Sequence, residues 1–352
     1  MQSKSQSQPY QNSFDQEYYP LLTYEYHDFC QSLAINHNKT LLAISGKNHV
    51  RILLFQLMKL KQLQIFPKMQ RNISQLNFLQ RRSLLISCYE DGSIIIWSLN
   101  LISNPKYLFK LRKHMQAISS MVVHPLKEDL IISGSFDKTI NFWLDQSSPS
   151  SQSQWQCIQT INQHQDLVYG LSINKEGNTL LSCGKDNQIL IMQGSRQMEW
   201  QIKQKIKLDG EGYRIGFITN RLFAFQSRIP RNRLFLYQLD ENTQMFNKLQ
   251  DVIVEGVGGN QTCAIFFPLV YIDNKQILIS KNGQKVNLIK LTFSQSNQLF
   301  NQIQTIDYGF QPNGWLFGTV TQDGEYLITW DQKSKNIQIR SYQEKIIKQE
   351  QN

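Results

Sequence analysis

Cysteine is scarce, and what there is stands apart. The 352 residues hold five cysteines, Cys30, Cys88, Cys157, Cys183 and Cys263, and no pair of them has C-x-x-C spacing. A disulfide framework and the common zinc knuckles are therefore excluded, and the thiols suit a reducing compartment. No apolar run approaches the roughly 18 residues that a membrane-spanning helix needs. Residues 1–19 lack a basic start followed by an apolar stretch, so they do not read as a secretory signal. They are Gln/Ser-rich with little apolar content, and residues 1–20 read as a disordered tail. Catalytic signatures are missing as well. There is no P-loop and no G-x-S-x-G, and the six histidines are scattered without metal-ligand spacing. Gly256–Gly259 is not followed by a helical pattern, so it reads as a loop and not a phosphate cradle. The chain thus reads as no enzyme, with no cofactor and no metal site.

Acidic residues are the minority, 27 against 37 Lys and Arg, which leaves a net charge of +10. Such a balance favours acidic proteins, nucleic acid or phospholipid surfaces. Along the sequence the charge looks spread out. Its densest groups are Arg228, Arg231 and Arg233 with Arg221 nearby, the pair Arg81–Arg82, and the alternating Lys203, Lys205 and Lys207. Alternating lysines are an ordinary guard against sheet pairing on an edge strand. Glutamine is abundant even inside apolar segments, which folding does not by itself require.

What the chain does have is a repeat. In Leu130–Leu144 a short apolar run, the turn residues Ser133–Lys138 and a β-branched and aromatic run make a strand–turn–strand hairpin. The same shape returns at Leu41–Leu57, Leu84–Leu99 and Leu180–Met192, with weaker copies at Arg221–Leu239, Gln276–Leu291 and Tyr326–Tyr342. Taking Phe55, Trp97, Trp143, Met192, Tyr237, Ile289 and Arg340 as equivalent anchors, the copies lie about 42 to about 52 residues apart, a period of repeat architectures. The last three copies also fit ordinary hairpins of another all-β fold. Each hairpin is followed by a candidate outer strand: Lys61–Phe66, Tyr107–Leu111, Trp155–Ile161, Trp200–Leu208, Met245–Val254 and Leu299–Ile306. Only a short charged end, Gln343–Asn352, follows the seventh.

The best-kept copy resembles the blade of the WD-repeat β-propeller family. Its His114, Ser133, Asp137 and Trp143 match the family's hydrogen-bonded set. The second copy keeps Ser87, Asp91 and Trp97 without a His, and the fourth keeps His164, Ser182 and Asp186 with Met192 in place of Trp. A buried indole N–H needs a partner, which Ser133 can supply while passing a hydrogen bond on to His114. The resemblance implies an all-β, seven-bladed β-propeller of four-stranded antiparallel blades over residues 21–352, with Leu22–His27 pairing with the last hairpin to close the ring.

Function is then expected on the loops of one rim. Carrying the family's contact face over position by position selects Gln31, Ser74, Ser119, Tyr169, Arg214 and Trp315. Tyr169, Tyr213, Arg214 and Trp315 form the candidate partner-binding patch, since such residue types dominate binding energy. Trp315 and Tyr213 are equally suited to packing between blades. The resemblance implies a non-catalytic scaffold or adaptor that presents its surface to other proteins of a multiprotein complex in the cytoplasm or nucleus. Two alternatives stand beside it. One is a propeller that binds phosphoinositide or nucleic acid through the basic loop at Arg228–Arg233, although the lipid-binding Phe-Arg-Arg-Gly motif is absent and Arg81–Arg82 is flanked by Gln80 and Ser83. The other is the adaptor that delivers iron–sulfur clusters to cytosolic apoproteins.

Overall fold

The structure is a computed structural model, and it describes residues 16–101, 103, 105–146, 154–229, 232–256, 266–293, 298–310 and 313–344. β1 (Gln16–Glu25) comes first and pairs last. Blade one follows as β2 (Leu33–Ile35), β3 (Leu41–Ser45), β4 (Val50–Gln56) and β5 (Lys59–Ile65). Blade two is β6 (Ile73–Phe78), β7 (Leu84–Tyr89), β8 (Ser93–Ser98) and β9 (Tyr107–Arg112). Blade three is β10 (Ile118–Val123), β11 (Leu130–Ser135), β12 (Ile140–Asp145) and β13 (Trp155–Ile161). Blade four is β14 (Val168–Ile173), β15 (Thr179–Gly184), β16 (Gln188–Gln193) and β17 (Gln201–Lys207). Blade five is β18 (Gly212–Thr219), β19 (Leu222–Ser227), β20 (Arg233–Leu239) and β21 (Phe246–Ile253). Blade six is β22 (Val270–Ile272), β23 (Ile277–Asn282), β24 (Lys285–Phe293) and β25 (Gln298–Asp307). Blade seven is β26 (Leu316–Val320), β27 (Tyr326–Asp331) and β28 (Asn336–Glu344), and β1 is its fourth strand.

Every sheet is four-stranded and antiparallel, with strands in chain order from the axis outward except at the closing blade. There β1 lies against β28 from Gln16↔Glu344 to Glu25↔Asn336. The closing strand therefore starts before the expected Leu22–His27. The tail drawn to residue 20 is corrected too: residues 16–20 belong to β1, and residues 1–15 lie outside the described residues. The reason is aromatic. Tyr18 is buried in the layer between blades six and seven, and its hydroxyl donates to Gly324 O at 2.7 Å.

Seven apolar clusters fill the seven gaps between neighbouring blades, from Tyr26–Ile339 between blades seven and one to Tyr18–Leu327 between six and seven. A blade buries both faces, so its second and third strands read as near-continuous apolar runs and not as alternations. Serines in or just before the inner strands tie blade to blade. Leu76 N–H donates to Ser32 Oγ at 2.8 Å, Leu171 N–H to Ser120 Oγ at 2.9 Å, and Phe217 N–H to Ser172 Oγ at 3.0 Å.

The outer strands repeat a second device. In every blade one residue bulges from the fourth strand opposite the tryptophan position: Leu63, Leu108, Ile158, Lys203, Leu249, Ile303 and, on β1, Leu21. A bulge re-aims the next side chain, and in five blades that residue is glutamine: Gln64, Gln159, Gln204, Gln250 and Gln304. Three of these amides grip both backbone groups of an aromatic residue in the next blade. Gln159 holds Trp200 (2.9 and 2.7 Å), Gln204 holds Phe246 (2.8 and 2.9 Å), and Gln304 holds Tyr18 (2.8 and 3.0 Å). Glutamine within apolar segments is thus structural here. The bulges also correct one anchor: in blade one the tryptophan position is Leu53, not Phe55.

One turn breaks the usual residue rules. β4 and β5 are joined through Leu57 (φ 51) and Met58 (φ 56), both in the left-handed region. Two-residue hairpin turns of this kind prefer Asn-Gly, and each side chain with a Cβ costs about 1–2 kcal/mol there.

Candidate functional site

The signature residues assemble in blade three. Trp143 Nε1–H donates to Ser133 Oγ at 2.8 Å, Ser133 Oγ lies 2.8 Å from His114 Nε2, and His114 Nδ1 lies 2.9 Å from Asp137 Oδ2. An ionised Asp137 only accepts, so Nδ1 carries the proton and Nε2 accepts from the serine hydroxyl. Burial works against the charge on Asp137, yet hydrogen bonds from His114 and Thr139 outweigh it and hold the carboxyl well below the usual range. Blade four repeats the set through His164, Ser182 and Asp186, at 2.7 Å and 2.8 Å, and the carboxyl of Asp186 is likewise held low. Met192 stands where Trp143 does, and the indole in that layer comes from Trp200, stacked on Phe142 at 5.3 Å.

The degenerate blades are rewired. In blade two Trp97 Nε1–H donates to Ser87 Oγ at 2.8 Å, and the Tyr89 hydroxyl, 3.1 Å from that oxygen, fills the place of the missing His. Asp91 accepts from the Ser93 backbone N–H at 3.0 Å and so holds the turn. In blade seven Arg340 takes the tryptophan position. It donates to Tyr308 Oη at 2.8 Å, Tyr308 Oη lies 2.8 Å from Thr329 Oγ1, and Gln338 Oε1 accepts from the second guanidinium nitrogen at 2.6 Å. Burial pushes the Tyr308 phenol up to about 12 against the opposing pull of Arg340. These sets tie strands and loops of the blades together by hydrogen bonds.

The candidate partner patch divides. Tyr169 and Tyr213 are the second residues of β14 and β18, half-buried, with ring centroids 6.0 Å apart. Phe136 stacks edge-on to Tyr169, also at 6.0 Å, from the turn of blade three. An aromatic stripe therefore crosses three blades at the mouth of an axial cavity of ≈ 480 Å³. Sequence reading missed Phe136. Its signal was an aromatic residue amid turn residues, in Ser135–Phe136–Asp137. Met115 (85 % exposed) and Ile229 (63 % exposed) stand on loops of blades three and five, Met115 donating its backbone N–H to Asp137. The ion pairs Asp166–Lys185 (3.7 Å) and Glu211–Arg228 (2.9 Å) edge it. Burial, then Glu211, Tyr213 and Asp166, push the Tyr169 phenol up to about 12, so it remains a hydroxyl donor.

Arg214 does not belong to this surface. It is 2 % exposed, and its guanidinium donates to Phe267 O at 2.8 Å and Gln226 Oε1 at 3.0 Å, joining blade five to the lead-in of blade six. Trp315 packs edge-on to Phe29 at 4.7 Å in the layer between blades seven and one. Gln31, Ser74 and Ser119 are buried. The family's contact positions fall on the inner strands here, where the narrow axis covers all but the larger side chains.

The basic loop is also largely committed. Arg228 pairs with Glu211 at 2.9 Å and Arg233 with Asp251 at 3.0 Å, while Arg231 lies outside the described residues. Arg82 pairs with the buried Asp145 at 2.7 Å, and the Arg81 guanidinium donates to Leu126 O. The described part of GVGG is Gly256 alone. Among the described residues no His/Cys/Asp/Glu group could hold a metal ion, and no helix is long and apolar enough to cross a membrane.

Comparison with known proteins agrees with this geometry. The profile of the family "WD domain, G-beta repeat" matches residues 60–98, 105–143 and 155–191. Each match runs from an outer strand to the third strand of the next blade. Coronin-2A of Bos taurus is 29% identical over 212 residues, covering 57% of this chain and 37% of that protein. Pre-mRNA-processing factor 19 of Bos taurus is 36% identical over 96 residues, covering 27% of this chain and 17% of that protein. The chain thus spans well under two thirds of the length of these relatives. A chain of the crystal structure of the Mitotic Checkpoint Complex superposes with a TM-score of 0.70 over 97% of this chain and 96% of that one, at 14% identity, a likeness of fold alone. Three matched repeats, seven blades of one design and the hydrogen-bond set of its best-kept blades show a seven-bladed β-propeller that carries WD repeats in blades two to four.

Proposed function

We propose that the chain is a non-catalytic scaffold that holds a segment of a protein partner on the rim of blades three to five, as part of a multiprotein complex in the cytosol or nucleus. The aromatic stripe Phe136–Tyr169–Tyr213 carries this reading. Half-exposed aromatic residues on a rigid frame bind at little entropic cost and are typical anchors of interfaces. The ion pairs Asp166–Lys185 and Glu211–Arg228 at the edges of the stripe supply a polar border. The buried free thiols Cys30, Cys88 and Cys183 support a reducing compartment.

The test is quantitative affinity purification from the native cell with the wild-type chain and the double variant Tyr169→Ser/Tyr213→Ser. Partners that bind this rim should fall tenfold or more in recovery, with the melting curve close to wild type. Equal recovery of every partner would remove the rim from the interface. Arg214→Ala serves as the contrast: it should lower the melting temperature, because it unpairs Phe267 O.

A further inference from the structure

Nine of the chain's ten net positive charges lie in residues 51–113, which hold eleven Lys and Arg against Glu90 and Asp91. Along the sequence these cations are spaced too widely to form a block. The fold gathers them, because the stretch builds the outer two strands of blade one and all of blade two. Arg51 pairs with Asp28, and Arg81 and Arg82 are tied to blade three. The other eight, Lys59, Lys61, Lys68, Arg71, Lys106, Lys110, Arg112 and Lys113, are exposed. Among the described residues, only Arg112 of these eight lies near a carboxylate, Asp91 at 3.9 Å.

Apolar groups stand among these cations. The strained Leu57–Met58 turn projects its side chains outward, 85 % and 56 % exposed. Leu63 and Ile65 on β5 and Tyr107 and Leu108 on β9 are exposed on the two outer strands of these blades. The two outer strands are neighbours, since Gln64 Nε2 donates to Ser103 O at 3.3 Å. Blade five also exposes Leu249 and Ile253 on its outer strand, but Lys248 and Arg233 there are both paired with Asp251. In the sector of blades one and two, exposed aliphatic groups stand among eight exposed cations of which, among the described residues, only Arg112 has a carboxylate nearby.

We infer that the outer face of blades one and two docks on an anionic lipid bilayer, with the Leu57–Met58 turn entering the headgroup region and the lysines facing the lipid charge. Aliphatic tips flanked by lysine are the composition of interfacial anchors. Each lysine near an anionic leaflet strengthens binding about fivefold. A surface for single-stranded nucleic acid would instead need aromatic platforms for bases, and this sector exposes Tyr107 alone. The strained turn fits the same reading: two large apolar residues kept where Asn-Gly would be relaxed point to a use outside the fold.

The test is vesicle co-sedimentation of the full chain with phosphatidylserine–phosphatidylcholine vesicles (about 1:2) and with phosphatidylcholine alone. Wild type should pellet with the anionic vesicles and be released by salt. The variant Lys59→Glu/Lys61→Glu/Lys106→Glu/Lys110→Glu should lose at least tenfold in affinity. The variant Leu57→Asn/Met58→Gly should also lose affinity while its melting temperature holds or rises, because it suits the turn. That separates a docking role from a structural one. Failure of wild type to pellet with anionic vesicles, or full binding by the Asn-Gly variant, would overturn the inference. So would tight binding of a single-stranded oligonucleotide that is indifferent to the Asn-Gly change, which would assign the sector to nucleic acid.

Discussion

Ser133 shows how much one hydroxyl can organise. It accepts from Trp143 and donates to His114, so Ser133→Ala would leave a buried indole N–H and a buried imidazole nitrogen without partners. Each such group costs about 1–3 kcal/mol. The variant should therefore lose about 2–3 kcal/mol in urea unfolding, with the slope unchanged. The same position is Thr329 in blade seven, where Tyr308 and Arg340 replace His and Trp. The demand is for a donor and an acceptor around one hydroxyl, and different side chains meet it. That is why the first, second and fourth hairpins were readable beside the third, whereas the Tyr308–Thr329–Arg340 set was not. No pattern of residue types links Tyr308 to Arg340 before the blade has folded. The Leu53 anchor failed for a related reason. Leu53 and Phe55 are two residues apart and face the same layer, so alternation cannot choose between them.

At the scale of elements, the closing strand carries the most weight. β1 completes blade seven through pairings from Gln16 to Glu25, and Gln304 grips Tyr18 from blade six. Removing residues 1–27 would expose β28 as an open edge and uncover the layer around Tyr18. The melting temperature should drop by many degrees in calorimetry. Gln304→Leu, which cuts only the clamp, should move it in the same direction by less; an unshifted melting curve for the deletion would contradict closure by this strand. The hairpins themselves were legible, because glycine, aspartate and serine turns punctuate short β-branched runs. The bulges were not. They appear only when a fourth strand is laid against a third, and only then do five glutamines prove to share one place.

Across the whole molecule, the ring closes on itself by charge as well as by strand. Lys39 of blade one reaches Asp323 at 2.8 Å and also pairs with Glu325 of blade seven. Burial works to raise the Asp323 carboxyl, but Lys39 and the Glu325 backbone N–H outweigh it and hold it at about 2. Asp137 and Asp186 are held low by their histidines. A carboxyl held lower in the folded chain than in the unfolded chain adds stability above its unfolded value. That stability disappears as the pH falls through the folded one. Thermal stability should therefore be flat at neutral pH and fall steeply between about pH 4 and pH 2. Read by circular dichroism, Lys39→Met should lower the melting temperature at neutral pH and make that fall smaller, because Asp323 then loses the partner that holds its carboxyl low.

The sequence by itself determined the repeat, the all-β class, the count of seven and the signature set of blade three, because all of these rest on neighbours within one hairpin. Only the tertiary structure decided which candidate residues face solvent. Arg214 and Trp315 lie within the packing, while Phe136, Tyr169 and Tyr213 line up across three blades. It also decided that cations spaced along residues 51–113 share one sector. Exposure and adjacency between blades depend on ring closure, which brings together residues that no local period relates.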